Sequence, residues 1–156
     1  MTAPLPEPRT ADVDTNLDTA LTTLATEIGR TDNKASLLLA FNGAVLAGLA
    51  SLTDHTLPAG TKAFGAAAVL ALAAAAALLL FVVRPRLGGN DRASFPYWAR
   101  LNDDEIRAGM HGDTRAARIR VLSQIALTKY RKLQHAVDLS LAALALLLLA
   151  AIGAMA

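Results

Sequence analysis

The sequence predicts an all-α membrane protein with three transmembrane helices, the first and third extended into a cytosolic helical bundle. Three observations carry the prediction. The 156 residues are 54% hydrophobic but only 4% aromatic, so the apolar mass is mainly Ala and Leu, whereas a soluble domain spreads its core over Val, Ile and Phe as well. Charge is absent from Ala35 to Leu52, from Ala63 to Val83 and from Leu139 to Ala156. Those runs are uniform rather than amphipathic: VLALAAAAALLLFVV and LSLAALALLLLAAIGAMA offer no polar face to water. About 20 such residues at about 1.5 Å each cross about 30 Å of hydrocarbon. Spans are therefore expected near 35–52, 63–83 and 136–156. LAFNGAVLAGL taken alone would also suit a soluble, wholly buried helix.

The elements follow in order. Residues 1–14 hold three of the six prolines and read as a disordered tail, with a single domain from 15 to 156. From Thr15, apolar residues recur at Leu17, Leu21, Leu24 and Ile28, the spacing of an amphipathic helix. No proline separates that pattern from the first apolar run, so one long helix is expected from about 15 to about 52. A secretory leader is not expected, because the residues before the run carry six acids against three bases and a leader needs a short positive start. DHTLPAG, residues 54–60, is a short polar turn of the kind that joins antiparallel neighbours.

The second span ends at RPRLGG, residues 84–89, where proline and glycines stop a helix. Residues 87–101 read as a loop. Asn102-Asp103-Asp104-Glu105 has the form of a capping box and opens a short helix that Gly109 or Gly112 ends. From about Thr114, Ile119, Leu122, Ile125, Ala126 and Leu133 form one stripe. That pattern runs unbroken into the third apolar run, so a second long helix is expected from about 114 to 155.

Charge sets the expected orientation. The segment from Arg84 to His135 carries 11 of the 15 Lys and Arg residues, and the turn from Thr53 to Lys62 carries one. Basic residues near span ends stay on the cytoplasmic side. The basic loop 84–135 and the N-terminus are therefore expected inside. The same rule accounts for the basic excess without a nucleic-acid partner.

No catalytic constellation is visible, and an enzyme is not expected. His55, His111 and His135 stand alone, at no metal-ligand spacing. There is no phosphate-binding glycine loop and no paired carboxylates in a cleft. No metal or cofactor is implied.

Three features remain, each with a plain reading and a functional one. Asn42 lies about 12 Å along the helix from Lys34. It ties helices together beside close-packing Gly43, Ala47 and Gly48, or it lines a pore. Arg30, Asp32, Lys34, Arg84 and Arg86 meet one membrane face. They anchor headgroups, with an Arg–Asp pair, or they hold an anionic ligand. Phe95, Tyr97 and Trp98 are an interfacial aromatic anchor, or a stacking surface for a base with Arg100 nearby.

Four of these stretches together carry a family resemblance. They are D-x-K-A at Asp32 to Ala35, L-x-A-F-N-G at Leu38 to Gly43, R-P-R after the second span, and S-Q-I-A-x-x-K-Y at Ser123 to Tyr130. In combination, from about residue 20 to the end, the chain resembles the membrane effectors of Pycsar antiphage systems, the PycTM type. The resemblance implies a bacterial defence effector. A neighbouring pyrimidine cyclase makes cyclic CMP or cyclic UMP during infection, and the effector senses it and impairs the inner membrane, causing abortive infection. Expected partners are that cyclic pyrimidine nucleotide, the lipid bilayer and further copies of the chain.

The resemblance supplies no binding residues. The candidates are those read from the residues themselves: Arg30, Lys34, Arg84, Arg86, Trp98 and Arg100 for the nucleotide, and Asn42 and Gly43 for intramembrane packing or a pore. A holin-like or structural helical membrane protein not gated by a nucleotide is the alternative.

Overall fold

The computed structural model describes residues 10–51, 58–85, 94–109 and 111–155. All regular structure among them is helical: α1 (Thr10–Ala50), α2 (Ala59–Val83), α3 (Phe95–Trp98), α4 (Asp103–Gly109) and α5 (Arg115–Met155). Helices α1, α2 and α5 are each long and apolar enough to cross a membrane.

Helix α1 begins at Thr10, upstream of the Thr15 at which the leucine spacing starts. Its first half is rich in threonine, a weak helix former that competes with the backbone. Here the competition is resolved locally. The hydroxyls of Thr15, Thr19, Thr22 and Thr26 each donate to the carbonyl four residues earlier, at 2.8–2.9 Å. The capping box forms as the sequence requires. Asn102 Oδ1 accepts from the Glu105 N–H, and Glu105 Oε2 accepts from the Asn102 N–H, both at 2.9 Å. Two orphan donors at the start of α4 are thereby satisfied. Within the expected loop 87–101 the chain makes one helical turn, α3. Pro96 falls in its first turn, where no intrahelical N–H is needed.

The chain divides into two compact units, and the division falls inside α1 and α5. The first unit takes the chain up to Ile28 together with Pro85–Leu127, and the second takes Gly29–Arg84 with Thr128–Ala156.

The second unit is a three-helix bundle. The buried line of α2 runs through Thr61, Gly65, Ala68, Leu72, Ala75, Leu79 and Val82, an alternation of four and three, with half-buried Ala71, Ala76, Leu78 and Val83 beside it. On α5 the same alternation runs through Lys129, Leu133, Ala136, Ser140, Ala143, Leu147 and Ala150, and on α1 through Thr31, Ala35, Leu38, Asn42, Val45 and Leu49. This is the heptad seam of a left-handed coil. Ala35, Leu79, Val82 and Ala136 form one buried cluster, and Ala68, Leu72 and Ala143 another. Small residues dominate the seam because helices in lipid gain by close backbone approach, with no water to expel.

Candidate functional site

One end of the bundle gathers the charged side chains. The seam brings Asp32 on α1 to Lys129 on α5, and the Lys129 ammonium donates to Asp32 Oδ1 in a part-buried pair. One turn further on, Lys132 Nζ sits 5.5 Å from the centre of the Phe81 ring, within cation–π range. Arg84, the last described basic residue of α2, caps that helix, its N–H donating to the Leu80 carbonyl at 2.9 Å. Lys34 and Arg84 flank Ala35 and Val82, which share a buried cluster. At about 1.5 Å per residue, Arg30, Lys34, Arg84, Lys129, Arg131 and Lys132 fall within about two helical turns. Asp32 is the one carboxylate among them.

Arg30, Lys34 and Arg84 are exposed and belong to this unit. Arg86 lies outside the described residues. Trp98 and Arg100, also exposed, belong to the other unit, where the Trp98 and Arg100 N–H groups bond to the Ser94 and Tyr97 carbonyls at 3.1 Å.

Lys129 and Lys132 are absent from the sequence-derived candidates. Lys129 has a signal: it falls on the same seam as Leu133, Ala136 and Ser140. It also closes the S-Q-I-A-x-x-K-Y motif, while Asp32 opens D-x-K-A. The ion pair thus joins two of the stretches that carry the resemblance.

The deeper pair joins the third stretch to α5. Asn42 is fully buried, and its Nδ2 donates to Ser140 Oγ at 3.0 Å. The Ser140 hydroxyl has one proton to give. It reaches the Ala136 carbonyl at 2.9 Å, nearer than Asn42 Oδ1 at 3.2 Å.

Gly43 and Gly48 do not pack closely as expected. A Cβ at either would meet nothing within 4 Å, because one residue past Asn42 is about 100° around the helix and leaves the seam. The glycine at a close approach is Gly153, where a Cβ would stand 3.2 Å from Thr61 Oγ1.

In the first unit, Arg115 is the hub. Its guanidinium donates to Asp14, to Asp18 at 3.2 Å and to Asp113 at 3.0 Å, joining the start of α5 to α1. The side-chain bonds from Arg115, and then its backbone N–H, hold the Asp113 carboxyl below its ordinary value of 3.8. The bonds to Asp113, Asp14 and Asp18 in turn push the guanidinium pKa up. A shallow groove nearby is lined by Thr15, Asp18, Thr19, Thr22 and Thr23. Three of its four threonines already donate to their own backbone, so those hydroxyls are not spare donors for an anion. Among the described residues no cluster of three or more His, Asp or Glu is placed to hold a metal.

A family model described as PycTM, Pycsar effector protein domain, covers residues 16–156. No curated protein and no solved structure matches the chain.

Proposed function

This chain belongs to the PycTM family of Pycsar effectors, and on that premise we propose that it senses a cyclic pyrimidine nucleotide and impairs the bacterial inner membrane. Its role is antiphage defence, and it is a membrane protein. The proposal adds the signal, the place where it acts, and the output. The single observation that carries it is the family match, which spans all three membrane-capable helices.

The site residues suit an anionic signal. Six cationic residues and one carboxylate lie at one end of the bundle, and Asp32 already occupies one of them, Lys129. A cyclic nucleotide phosphate would draw on Arg30, Lys34 and Arg84. The uneven charge of the loops supports a cytoplasmic location for this end.

Transmission needs an element shared by sensing and output. Helices α1 and α5, each 41 residues, enter both compact units. Ligand must favour one arrangement of them over another, because a ligand with equal affinity for both shifts nothing. Subunits then rearrange so that the bilayer leaks.

Dye release from liposomes carrying the purified protein tests this, with cyclic CMP, cyclic UMP and cyclic AMP added in turn. Release with one pyrimidine alone is the expected result. Silence with all three, from folded and inserted protein, would overturn the nucleotide reading and favour a holin-like or structural role.

A further inference from the structure

Asp138 stands where a charge is costly. The register of α5 against α2 is fixed at two places: Lys132 lies over Phe81, and Gly153 lies beside Thr61. Asp138 is six residues past Lys132, level with Ala75 on the antiparallel α2. The apolar run of α2 extends from Ala63 to Val83. Asp138 is therefore about 12 Å inside it, at about 1.5 Å per residue. The bond between Asn42 and Ser140, two residues further along α5, puts Asp138 level with Ala40 of α1, about 8 Å inside the charge-free run that starts at Ala35.

The carboxylate is exposed, and among the described residues no hydrogen bond or ion pair engages it. It does not face its own bundle. Ala136, Ser140 and Ala143 are the buried seam of α5, and at about 100° per residue Asp138 points away from them. Ionisable side chains at such depth almost always face a bundle interior or a water-filled cavity. A monomer in lipid would give Asp138 neither.

The rest of that face tells what covers it. Arg131, Gln134 and His135 are exposed on the same side of α5, toward the charged end, and Ala142, Ala145, Leu149 and Ile152 are exposed on it beyond Asp138. The stripe is polar and of both signs for its first half, small at Ala142 and Ala145, and apolar beyond. Polar groups of both signs complement a copy of themselves, and small residues let helices approach closely. Lipid tails do not match the polar half.

We propose that this face of α5 packs against a second copy of the chain, and that Asp138 lines a water-filled, cation-passing path between copies. A ring of carboxylates at a constriction is a recurring cation-selective device. The proposal rests on the membrane-spanning reading above, but on neither the nucleotide nor the orientation.

The chain contains no cysteine, so single cysteines report cleanly. Asp138→Cys, Ala142→Cys, Ala145→Cys and, as a control, Leu70→Cys on the exposed face of α2 would be expressed in bacterial membranes. Each would be treated with an oxidant, and separately with a charged, membrane-impermeant thiol reagent, with and without each cyclic nucleotide. The expected result is loss of the monomer band on oxidation at 142 and 145, and modification at 138 by the charged reagent, with neither at 70. Cross-linking without access of the charged reagent to 138 would overturn the water-filled path. Access without cross-linking would overturn the second copy as occupant. If 138 reacts only with a lipid-soluble maleimide and no position cross-links in any condition, both parts fail. Alkaline carbonate extraction of the same membranes reads the membrane-spanning premise separately. Release of the protein into the supernatant would overturn that premise, while retention with failed cross-linking overturns this proposal alone.

Discussion

Asn42 and Ser140 meet inside the bundle through a hydrogen bond of 3.0 Å that spans 98 residues of chain. Both side chains are buried, at 0% and 3% exposure, and the bond fixes α1 and α5 in one register. Ser140 relays it to the Ala136 carbonyl, so the amide is linked to the backbone of its neighbour.

A double-mutant cycle measures this pair. Asn42→Ala and Ser140→Ala should each lower stability, and together should cost less than their sum. The coupling should be about 0.6–2 kcal/mol, the range for such bonds in membranes. The midpoint of unfolding in mixed detergent micelles is the measurement, and strict additivity would mean that the bond contributes nothing.

The Asp32–Lys129 pair predicts rescue by exchange. Its side chains are 33% and 16% exposed, so it lies between a surface pair and a buried one. Asp32→Lys or Lys129→Asp alone should destabilise the bundle by about 1–2 kcal/mol, and the double exchange should recover most of that. Recovery in unfolding midpoint and in dye release would separate a structural pair from a direct ligand contact, since a ligand contact would not be restored.

Acid should loosen the first unit. The folded pKa of Asp113 is depressed by Arg115. Its contribution is therefore present above its unfolded value near 3.8 and is lost as pH falls through the folded value. Salt should weaken the same exposed network. Hydrogen exchange of the amides in residues 10–28 should rise on acidification and in Arg115→Ala, with little change in residues 59–83.

Thr61 Oγ1 is buried and has no hydrogen-bond partner among the described residues. Thr61→Val removes that unsatisfied group and keeps the shape, so it should be neutral or raise stability by about 1 kcal/mol. Gly153→Leu, in contrast, should destabilise, because even a Cβ there stands 3.2 Å from the threonine. A stabilised leucine variant would show that the α2–α5 contact is looser than described.

Much of the fold is legible in the sequence because it rests on local chemistry. The uninterrupted runs set α2 and the apolar halves of α1 and α5, and the Asn102–Glu105 box sets the start of α4. The partners across helices are less legible, since they depend on register. A helical serine satisfies itself on its own backbone, so Ser140 carries no sign that it meets Asn42. Asp138 looks like a flank of the third span when counted from the C-terminus. The contacts of Lys132 with Phe81, of Gly153 with Thr61 and of Ser140 with Asn42 show how far inside it lies. Of the candidate site, the structure gathers Arg30, Lys34 and Arg84 in one unit and leaves Trp98 and Arg100 in another. Sequence proximity to a membrane boundary does not distinguish the two.

The alanine seam has a consequence for how this chain tolerates change. Ala35, Ala68, Ala75, Ala136 and Ala143 are wholly buried, and added methylenes at such positions force shifts rather than fill space. The outward positions beside them, such as Leu70 and Leu148, carry larger side chains that are mostly exposed. A library of random single substitutions, selected for survival of function, should therefore sort by size along these helices. Bulk should be rejected at every third and fourth position and accepted between, so that the pattern of permitted residues alone would redraw the bundle.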